Sequence, residues 1–232
     1  MENESIKLLQ GDCIELLPKI PDASIDAIIT DPPYFLGMTH NGQKGCFNDL
    51  AICKPFYEEL FTEYKRVLKP DGCVYFFCDW RGYAFYYPLF DKIIGAKNML
   101  VWVKHGRPNQ SYYGFGHEFV IFAGKIKKPS ISNVITDIKS FNFGADRTNG
   151  AKVHPTQKPV ELIEKFILDS TSEGDTILDT FMGSGTTGVA CINTGRKFIG
   201  MELNDNYFSI AKTRIANALK ESKQDLFREA AG

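Results

Sequence analysis

The chain has 232 residues, of which 44% are hydrophobic, and its 27 basic and 28 acidic side chains leave a net charge of −1. This length and composition predict a single domain spanning residues 1–232, and the near-neutral charge argues against a protein that coats nucleic acid indiscriminately. The chain begins with polar residues, has no apolar run long enough to cross a bilayer, and shows no zinc-type spacing among its six cysteines. We therefore expect a reduced, cytoplasmic protein without a membrane span or a bound metal.

Strands alternate with helices along the chain, a pattern that is typical of an α/β fold with a mostly parallel sheet. Seven strands are predicted, at Ile6–Gln10, Ile25–Thr30, Cys73–Cys78, Asn98–Val103, Glu118–Ala123, Thr176–Thr180 and Lys197–Met201. The fourth and fifth of them are expected to form an antiparallel hairpin at an edge of the sheet. Helices are predicted from Pro55 to a turn at Lys69-Pro70-Asp71-Gly72, after Pro159, and from about Asn206.

Two stretches lack the periodicity of either element. Phe35–Asp49 is polar and contains glycine, as expected of a functional loop, and 124–153 is irregular and basic. From Lys104 to Lys158 there are nine lysines and arginines against three acidic residues. A solvated loop explains such an excess as well as a nucleic-acid contact does, so the count alone leaves both interpretations open.

A glycine-rich loop follows the sixth predicted strand. Gly183, Gly185 and Gly188 stand between this strand and a short helix, and Glu202 ends the next strand 14 residues after the last glycine. Glycines allow a close approach of the backbone to a nucleoside cofactor, and a carboxylate at that spacing suits the ribose hydroxyls. The pattern is equally typical of NAD-dependent enzymes and of methyltransferases, and a tight turn without a ligand also needs glycine.

Two features favour S-adenosylmethionine over NAD. A dinucleotide fold normally continues with further strands after this unit, whereas this sequence ends one helix later. The loop also has hydroxyl and carboxyl side chains that suit the zwitterionic amino-acid end of S-adenosylmethionine better than a pyrophosphate. These side chains are Asp179, Ser184, Thr186 and Thr187.

The run Asp31-Pro32-Pro33-Tyr34 follows a buried strand, so its side chains are expected at the end of the sheet where open α/β folds bind ligands. The exocyclic amine of a nucleobase is a poor nucleophile because its lone pair is delocalised into the ring. A carboxylate and a rigid proline-associated carbonyl that accept its two N–H groups would direct the lone pair at a methyl donor. Tyr34 can stack on a base swung out of the duplex. A simple strand-ending turn would use the same residue types.

The two motifs together identify a family resemblance. The chain resembles the β-class amino-methyltransferases of DNA, in which the Asp-Pro-Pro-Tyr motif precedes a variable stretch and then the cofactor loop. The similarity extends from Gly11 to about Arg214 and includes Gly11-Asp12-Cys13, Trp102-Val103-Lys104, His117-Glu118-Phe119-Val120, His154-Pro155-Thr156-Gln157-Lys158-Pro159, Asp179 to Thr187 and Gly200-Met201-Glu202-Leu203-Asn204. It implies a Rossmann-like methyltransferase fold with a circularly permuted motif order and one catalytic domain.

The resemblance also implies roles for individual residues. The adenine ring of the cofactor would meet Asp12 and Cys13, and its ribose would meet Glu202. The methionine end would be held by Lys158, Asp31, Asp179 and the loop residues Phe181, Gly183, Ser184, Gly185, Thr186 and Thr187. The target base would be handled by Asp31, Pro32 and Tyr34. We expect DNA to be contacted by Lys125, Lys127, Lys128 and Arg147, together with the loop Phe35–Asp49.

Several alternatives stay open at this point. Adenine N6 in duplex DNA is the favoured target, since many cytosine-N4 enzymes have Ser where this chain has Asp31. RNA as substrate, an NAD-dependent enzyme and a catalytically silent DNA-binding subunit are the other interpretations. The variable stretch 124–153 is short for a target-recognition segment. Either the recognised sequence is short, or the loop 35–49 and a second subunit of a homodimer share in recognising it.

Overall fold

The computed structural model of the protein describes residues 5–33, 39–40, 43–44, 50–104, 116–128, 132–139, 147–148, 151–152 and 157–230. The strands are β1 (Ile6–Gln10), β2 (Ile25–Thr30), β3 (Thr39–His40), β4 (Gln43–Lys44), β5 (Leu68–Cys78), β6 (Ala96–Val103), β7 (His117–Ala123), β8 (Val134–Ile135), β9 (Arg147–Thr148), β10 (Ala151–Lys152), β11 (Thr176–Asp179) and β12 (Lys197–Glu202). The helices are α1 (Cys13–Leu16) with a 3-10 turn (Leu17–Lys19), α2 (Leu50–Val67), α3 (Trp80–Ile93), α4 (Val160–Ser170), α5 (Thr186–Asn193) and α6 (Asp205–Ala230).

Eight strands form one sheet in the order β1-β12-β11-β2-β5-β7-β6-β8. Neighbouring strands are parallel except at β7, which is antiparallel to both β5 and β6. The pairs β3–β4 and β9–β10 are separate antiparallel ladders. We call the side of the sheet where the parallel strands finish the carboxyl end and the opposite side the amino end.

Helices cover both faces of the sheet. Large side chains of α2, at the i, i+3, i+4 and i+7 spacing of an amphipathic helix, are fully buried against one face; they are Tyr57, Leu60, Phe61 and Tyr64. They pack with α1 and α3 against Phe76 of β5. The other face is covered by α4, α5 and α6, where Phe166 stacks on Tyr75 at a centroid distance of 4.5 Å. Full burial of such a side chain stabilises the fold by about 1.5–3 kcal/mol, so two such layers fix the sheet.

The predicted sheet is confirmed with some differences. The expected neighbours β1, β12 and β11 are adjacent, and β6 and β7 form the expected hairpin. An eighth strand, Val134–Ile135, pairs with β6 and occupies the edge. Its two residues are too few to show a periodicity in the sequence.

The helix bounds also differ from the predicted ones. α2 begins at Leu50, so Pro55 lies inside the helix near its amino terminus. The chain passes from α2 directly into β5, and Lys69 to Gly72 belong to that strand, where a register shift occurs opposite β2. α6 begins at Asp205, close to the predicted start, and continues to Ala230. In the described residues no helix has the length and apolar character needed to span a membrane.

Candidate active site

The glycine loop lies at the carboxyl end of the sheet, between β11 and α5. Gly185 adopts a left-handed φ of +84°, and a Cβ at that position would come within 3.0–3.1 Å of Ala211 in α6. A side chain there would therefore be strained and would collide with a neighbouring helix, because this backbone conformation suits only glycine. One side of the loop packs closely against α6, and the other side faces outward at the carboxyl end of the sheet.

Glu202, the last residue of β12, joins the glycine loop to β1. Its carboxylate accepts hydrogen bonds from the backbone N–H of Gly183 at 2.9 Å and of Asn204 at 2.8 Å. The carbonyl oxygen of Glu202 accepts from Gly11 N at 3.0 Å, which sets Asp12 beside this corner. The three sequence motifs predicted to surround one nucleoside are therefore contiguous.

Asp12 and Cys13 form the opposite wall of the same corner. The Asp12 carboxylate caps α1 by accepting from Ile14 N at 2.9 Å. Cys13 is buried, and this burial, with the nearby Asp12 charge, raises the pKa of its thiol to about 12. Cys13 is therefore a neutral, unreactive thiol that contributes packing and not nucleophilicity.

Asp179 braces the glycine loop from below. It is buried and accepts hydrogen bonds from Thr187 Oγ1 at 2.7 Å, Thr30 Oγ1 at 2.9 Å and Phe181 N at 3.1 Å. Burial raises the pKa of this carboxyl to about 6, although the hydrogen bonds oppose the shift. In the structure Asp179 and the Thr187 hydroxyl bond to the protein and hold the loop in shape, and their contact with a cofactor stays a prediction.

Ser184 is likewise held by the protein. Its carbonyl oxygen and its hydroxyl accept from Arg214 Nη1 of α6 at 2.7 and 2.9 Å, and its hydroxyl lies 3.4 Å from Gln157 Oε1. Thr186 is buried at the start of α5, and Phe181 is half-buried and packs at a tilt against Phe56. Arg214 and Gln157 thus hold Ser184 in place, and the contacts of the loop side chains with the methionine end stay predictions.

Asp31 is the centre of a buried ion network at the end of β2. Lys158 Nζ lies 2.5 Å from Asp31 Oδ2 and 3.0 Å from Glu118 Oε2. Lys104 Nζ lies 2.9 Å from the other Glu118 oxygen. The Lys158 side chain is only 7% exposed, whereas that of Asp31 is 27% exposed. Asp31 is therefore the more exposed carboxylate of the network, with its Oδ1 buried and its Oδ2 held by the largely buried Lys158.

The charges of this network are set by their neighbours. Burial opposes a charged Lys158, but the carboxylates of Asp31 and Glu118 outweigh it and raise the pKa of the ammonium. Burial would similarly neutralise Glu118, but Lys158 and Lys104 lower its pKa. Removing one member would leave a buried charge uncompensated, which typically costs about 3–5 kcal/mol. The family resemblance assigned Lys158, with the glycine loop, to the methionine end of the cofactor. In the structure Lys158 pairs with Asp31, and its neighbour Gln157 contacts Ser184 of the loop.

The proline corner closes the site on the side of α3. Pro32 is buried, and the Pro33 carbonyl oxygen lies 3.5 Å from the Tyr86 hydroxyl of α3, which also donates to Tyr57 at 3.1 Å. Tyr34 lies outside the described residues, so its predicted stacking role stays a prediction. Within the described part of the chain, no group of three or more His, Cys, Asp or Glu side chains converges as a metal site requires.

Three of the lysines predicted to contact DNA lie at the amino end, away from Asp31. Lys125 pairs with Asp71 at 2.5 Å, Lys127 pairs with Asp175 at 3.2 Å, and Lys128 follows on the same exposed turn. This turn packs closely on β5, since a Cβ on Gly124 would lie 2.2 Å from the Gly72 carbonyl oxygen. The structure thus does not bring these lysines together with Asp31, because the antiparallel β7 carries the chain to the opposite end of the sheet. The side chain of Arg147 lies outside the described residues.

Sequence reasoning missed some residues of the site. From the sequence, Glu118 was assigned only to a strand. Arg214 was named only as the residue where the similarity to the family ends. For Glu118 a signal existed, since an acidic residue at the start of the apolar run Phe119 to Ala123 needs a charged partner when buried. Arg214 lies on a helix with many exposed charged residues, and its sequence position gave no such signal.

Comparisons with known proteins agree with this geometry. The family model described as DNA methylase, for N6 and N4 enzymes, matches residues 25–213. The chain is 31% identical to the Type II methyltransferase M.HinfI of Haemophilus influenzae, covering 94% of this chain and 70% of that protein. It is also 31% identical to the DNA adenine methyltransferase YhdJ of Escherichia coli K12, covering 97% of this chain and 87% of that protein.

Solved structures show the same architecture. The M1.HpyAVI–SAM complex superposes with a TM-score of 0.69 at 31% identity, over 90% of this chain and 98% of that one. The cytosine-N4-specific PvuII DNA methyltransferase superposes with a TM-score of 0.72 at 18% identity, over 95% and 93% of the chains, and shows the fold alone. The family match spans both motifs and the strands that carry them, and the chain belongs to the N6/N4 DNA methylase family.

Proposed function

We propose that the carboxyl end of the sheet transfers a methyl group from S-adenosylmethionine to an exocyclic amine of a base in DNA, with adenine N6 as the target. The observation that carries the proposal is the Asp31 side chain, which is 27% exposed, has its Oδ2 held by the buried Lys158 at 2.5 Å and adjoins the glycine loop. A nucleoside site and a carboxylate suited to an amine thus lie at the same end of the sheet. Neither an NAD enzyme nor a simple turn needs the second feature.

The residues present fit the cofactor. Gly183 and Gly185 have positive φ values of +52° and +84°, so the loop offers backbone without side chains at its tightest points. Each carboxylate oxygen of Glu202 can accept more than one hydrogen bond, so the ribose hydroxyls can share it with the backbone N–H groups of Gly183 and Asn204. When bound, S-adenosylmethionine supplies an electrophilic methyl group on a sulfonium.

On the other side of the site, the chain's own residues prepare the nucleophile. The Asp31 carboxylate accepts an N–H of the target amine and withdraws its lone pair from the ring. The Lys158 ammonium balances the charge of Asp31 and fixes its position, and Glu118 in turn fixes Lys158. A preorganised carboxylate of this kind costs no reorganisation at the moment of transfer.

Adenine is favoured over cytosine by two points. The chain has Asp31 at the start of the proline motif, and a relative of which it covers 87%, at 31% identity, bears the name DNA adenine methyltransferase. The fold does not discriminate, since a cytosine-N4-specific enzyme has the same one. The N4 of cytosine is therefore the rival target in the experiment below.

We infer that residues 1–232 act as one catalytic domain and that target recognition falls to the later part of the variable stretch. Along the edge strand β8 the stretch runs from the amino end of the sheet toward the carboxyl end. Ile135 pairs there with Trp102, whose indole N–H donates to the Ile138 carbonyl oxygen at 2.9 Å. Ile138 and Gln157 therefore both lie at the carboxyl end, and the chain between them includes Lys139, Arg147 and Lys152. A homodimer that shares in recognition stays a prediction.

Transfer of a labelled methyl group tests the proposed function. The purified chain is incubated with methyl-labelled S-adenosylmethionine and, in separate reactions, duplex DNA from a host without DNA methylation or RNA from the same host, and the nucleosides are then separated. We expect the label in N6-methyldeoxyadenosine. Label in N4-methyldeoxycytidine would identify cytosine as the target base. Label in RNA but not in DNA would identify RNA as the substrate. No transfer by a chain that binds the cofactor would favour a silent DNA-binding subunit.

A further inference from the structure

We propose that Trp80 and Arg81, at the start of α3, form a second contact with the DNA, stacking on and neutralising the strand beside the target base. This inference rests on the proposed function and extends it to a surface that neither motif includes. The partner it names is the DNA strand itself, through one nucleobase face and one phosphate.

The two residues adjoin the Asp31 corner. β2 and β5 are neighbouring parallel strands with Thr30 opposite Phe76, and Trp80 follows the last residue of β5 by two positions. Further along α3, the Tyr86 hydroxyl lies 3.5 Å from the Pro33 carbonyl oxygen. The first turn of α3 is therefore the rim of the pocket that the target base has to enter.

Trp80 is unusually exposed for an aromatic residue at such a place. It is 57% exposed, whereas Tyr87, on the same side of α3 but nearer the amino end, is 38% exposed. Trp102, the other tryptophan of the chain, is 2% exposed and donates its indole N–H to Ile138. An exposed indole combines a large apolar face with a polar N–H, which is why tryptophan is enriched at interfaces.

Arg81 gives this surface its charge. Its guanidinium carbon lies 5.5 Å from the centroid of the Trp80 ring, within the range of a cation–π contact. Its Nε donates to Asp79 at 3.2 Å, and Asp79 also caps α3 at Gly82 N. A guanidinium has five N–H donors, so an Arg81 oriented by Asp79 can also bind a phosphate.

An aromatic face with an attached cation matches a nucleotide better than it matches a protein surface. Enzymes that act on a base inside a duplex take it out of the stack, and its neighbour then loses a stacking partner. An indole on the rim can replace that partner, and such base–aromatic stacking is tolerant of sequence. The pair would therefore assist entry of the base without contributing to choice of the recognition sequence.

The two tryptophans provide an internal reference for the experiment. The apparent KM for unmethylated duplex DNA and the acrylamide quenching of tryptophan emission are measured for the wild type, Trp80→Ala and Trp80→Phe. We expect Trp80→Ala to raise the DNA KM roughly 5- to 150-fold, the range of base–aromatic stacking, with the cofactor KM unchanged. Trp80→Phe should retain most of the affinity. In the wild type, DNA should protect the tryptophan emission that acrylamide otherwise quenches. Trp80→Phe should lack this accessible emission.

Tyr87→Ala, on the same helix, is the matched control and should leave the DNA KM unchanged. An unchanged DNA KM in Trp80→Ala, together with wild-type emission that stays accessible to acrylamide in the presence of DNA, would overturn the inference while the proposed function stands. A chain in which both Trp80→Ala and Tyr87→Ala dissociate an oligomer would instead assign the surface to a second copy. Failure of the wild type to methylate DNA at all would count against the proposed function itself.

Discussion

The two ends of the sheet carry similar charged side chains but use them differently. At the carboxyl end, Lys158 is 7% exposed and lies between two carboxylates. At the amino end, Lys125 and Asp71 form a pair in which the side chains are 76% and 80% exposed. An exposed pair is screened by water and contributes little to stability, whereas breaking a buried pair costs about 3–5 kcal/mol. A buried charge, whose desolvation costs free energy, therefore indicates function better than an exposed charge does.

Asp31→Ala should have the largest effect and would confirm that the carboxyl end carries the chemistry. The carboxylate acts on the amine during transfer, so we expect the methylation rate at saturating substrates to fall by about 10³-fold or more. The cofactor affinity should persist at least in part, since the ribose site at Glu202 is untouched. Rates come from labelled-methyl transfer and affinities from calorimetry. Asp71→Ala, the control at the amino end, should keep the wild-type rate; normal turnover by Asp31→Ala would disprove the mechanism.

Glu202→Ala should separate cofactor binding from chemistry within the carboxyl end. Loss of hydrogen bonds to a charged acceptor, worth about 1.5–3 kcal/mol, should weaken S-adenosylmethionine binding by roughly 10- to 100-fold. The ribose contact is equal in ground and transition states, so the rate at saturating cofactor should change little. Glu202→Gln, which keeps one acceptor oxygen, should be intermediate. Unchanged calorimetric affinity in Glu202→Ala would show that the ribose lies elsewhere.

Asp179→Asn should alter how stability depends on pH. The native pKa of Asp179 is about 6, above the ordinary value of 3.8, so the unfolded chain releases this proton first and the native state loses stability as pH rises from about 4 to 6. Asparagine removes this loss, so the variant should gain on the wild type by up to about 3 kcal/mol between pH 4 and 7. Urea unfolding at both pH values measures the difference. A gap between the two proteins that stays constant with pH would contradict the shift.

The Lys127→Ala/Lys128→Ala double variant should have the smallest effect. Both lysines lie at the amino end, where Lys127 already pairs with Asp175. DNA affinity and the slope of its logarithm against the logarithm of salt concentration should therefore match the wild type, measured by titration of labelled duplex DNA. Loss of two phosphate contacts would flatten the slope by about one to two units. Such a change would show that DNA binds at the amino end of the sheet.

Much of the fold and part of the site could be predicted from the sequence. The glycine loop, Glu202 and Asp12 were expected around one nucleoside, and Gly11 N does bond to the Glu202 carbonyl oxygen. These contacts follow from strand order, which the alternating pattern encodes. The partnership of Lys158 with Asp31 joins residues 127 positions apart. It depends on how the segment before α4 returns to the end of β2, which no local pattern expresses.

The misplaced lysines show how topology overrides charge. The basic excess after Glu118 was counted correctly, but the antiparallel β7 ends where the parallel strands begin, at the amino end. The predicted hairpin already contained this reversal, so the position of Lys125 to Lys128 was within reach of the sequence. The hydrogen bonds of Asp179 and Ser184 were not, since hydroxyl-rich loops bind ligands or brace themselves with the same residue types.

Hydrogen–deuterium exchange with and without DNA, in the presence of S-adenosylmethionine, tests most directly that the carboxyl end faces the substrate. Exchange should slow on DNA addition in peptides covering residues 30–33, 79–83 and 157–159, at the carboxyl end. Peptides covering 69–72, 124–128 and 172–175, at the amino end, should exchange at unchanged rates. Protection of the amino-end peptides, with none at the carboxyl end, would contradict the account.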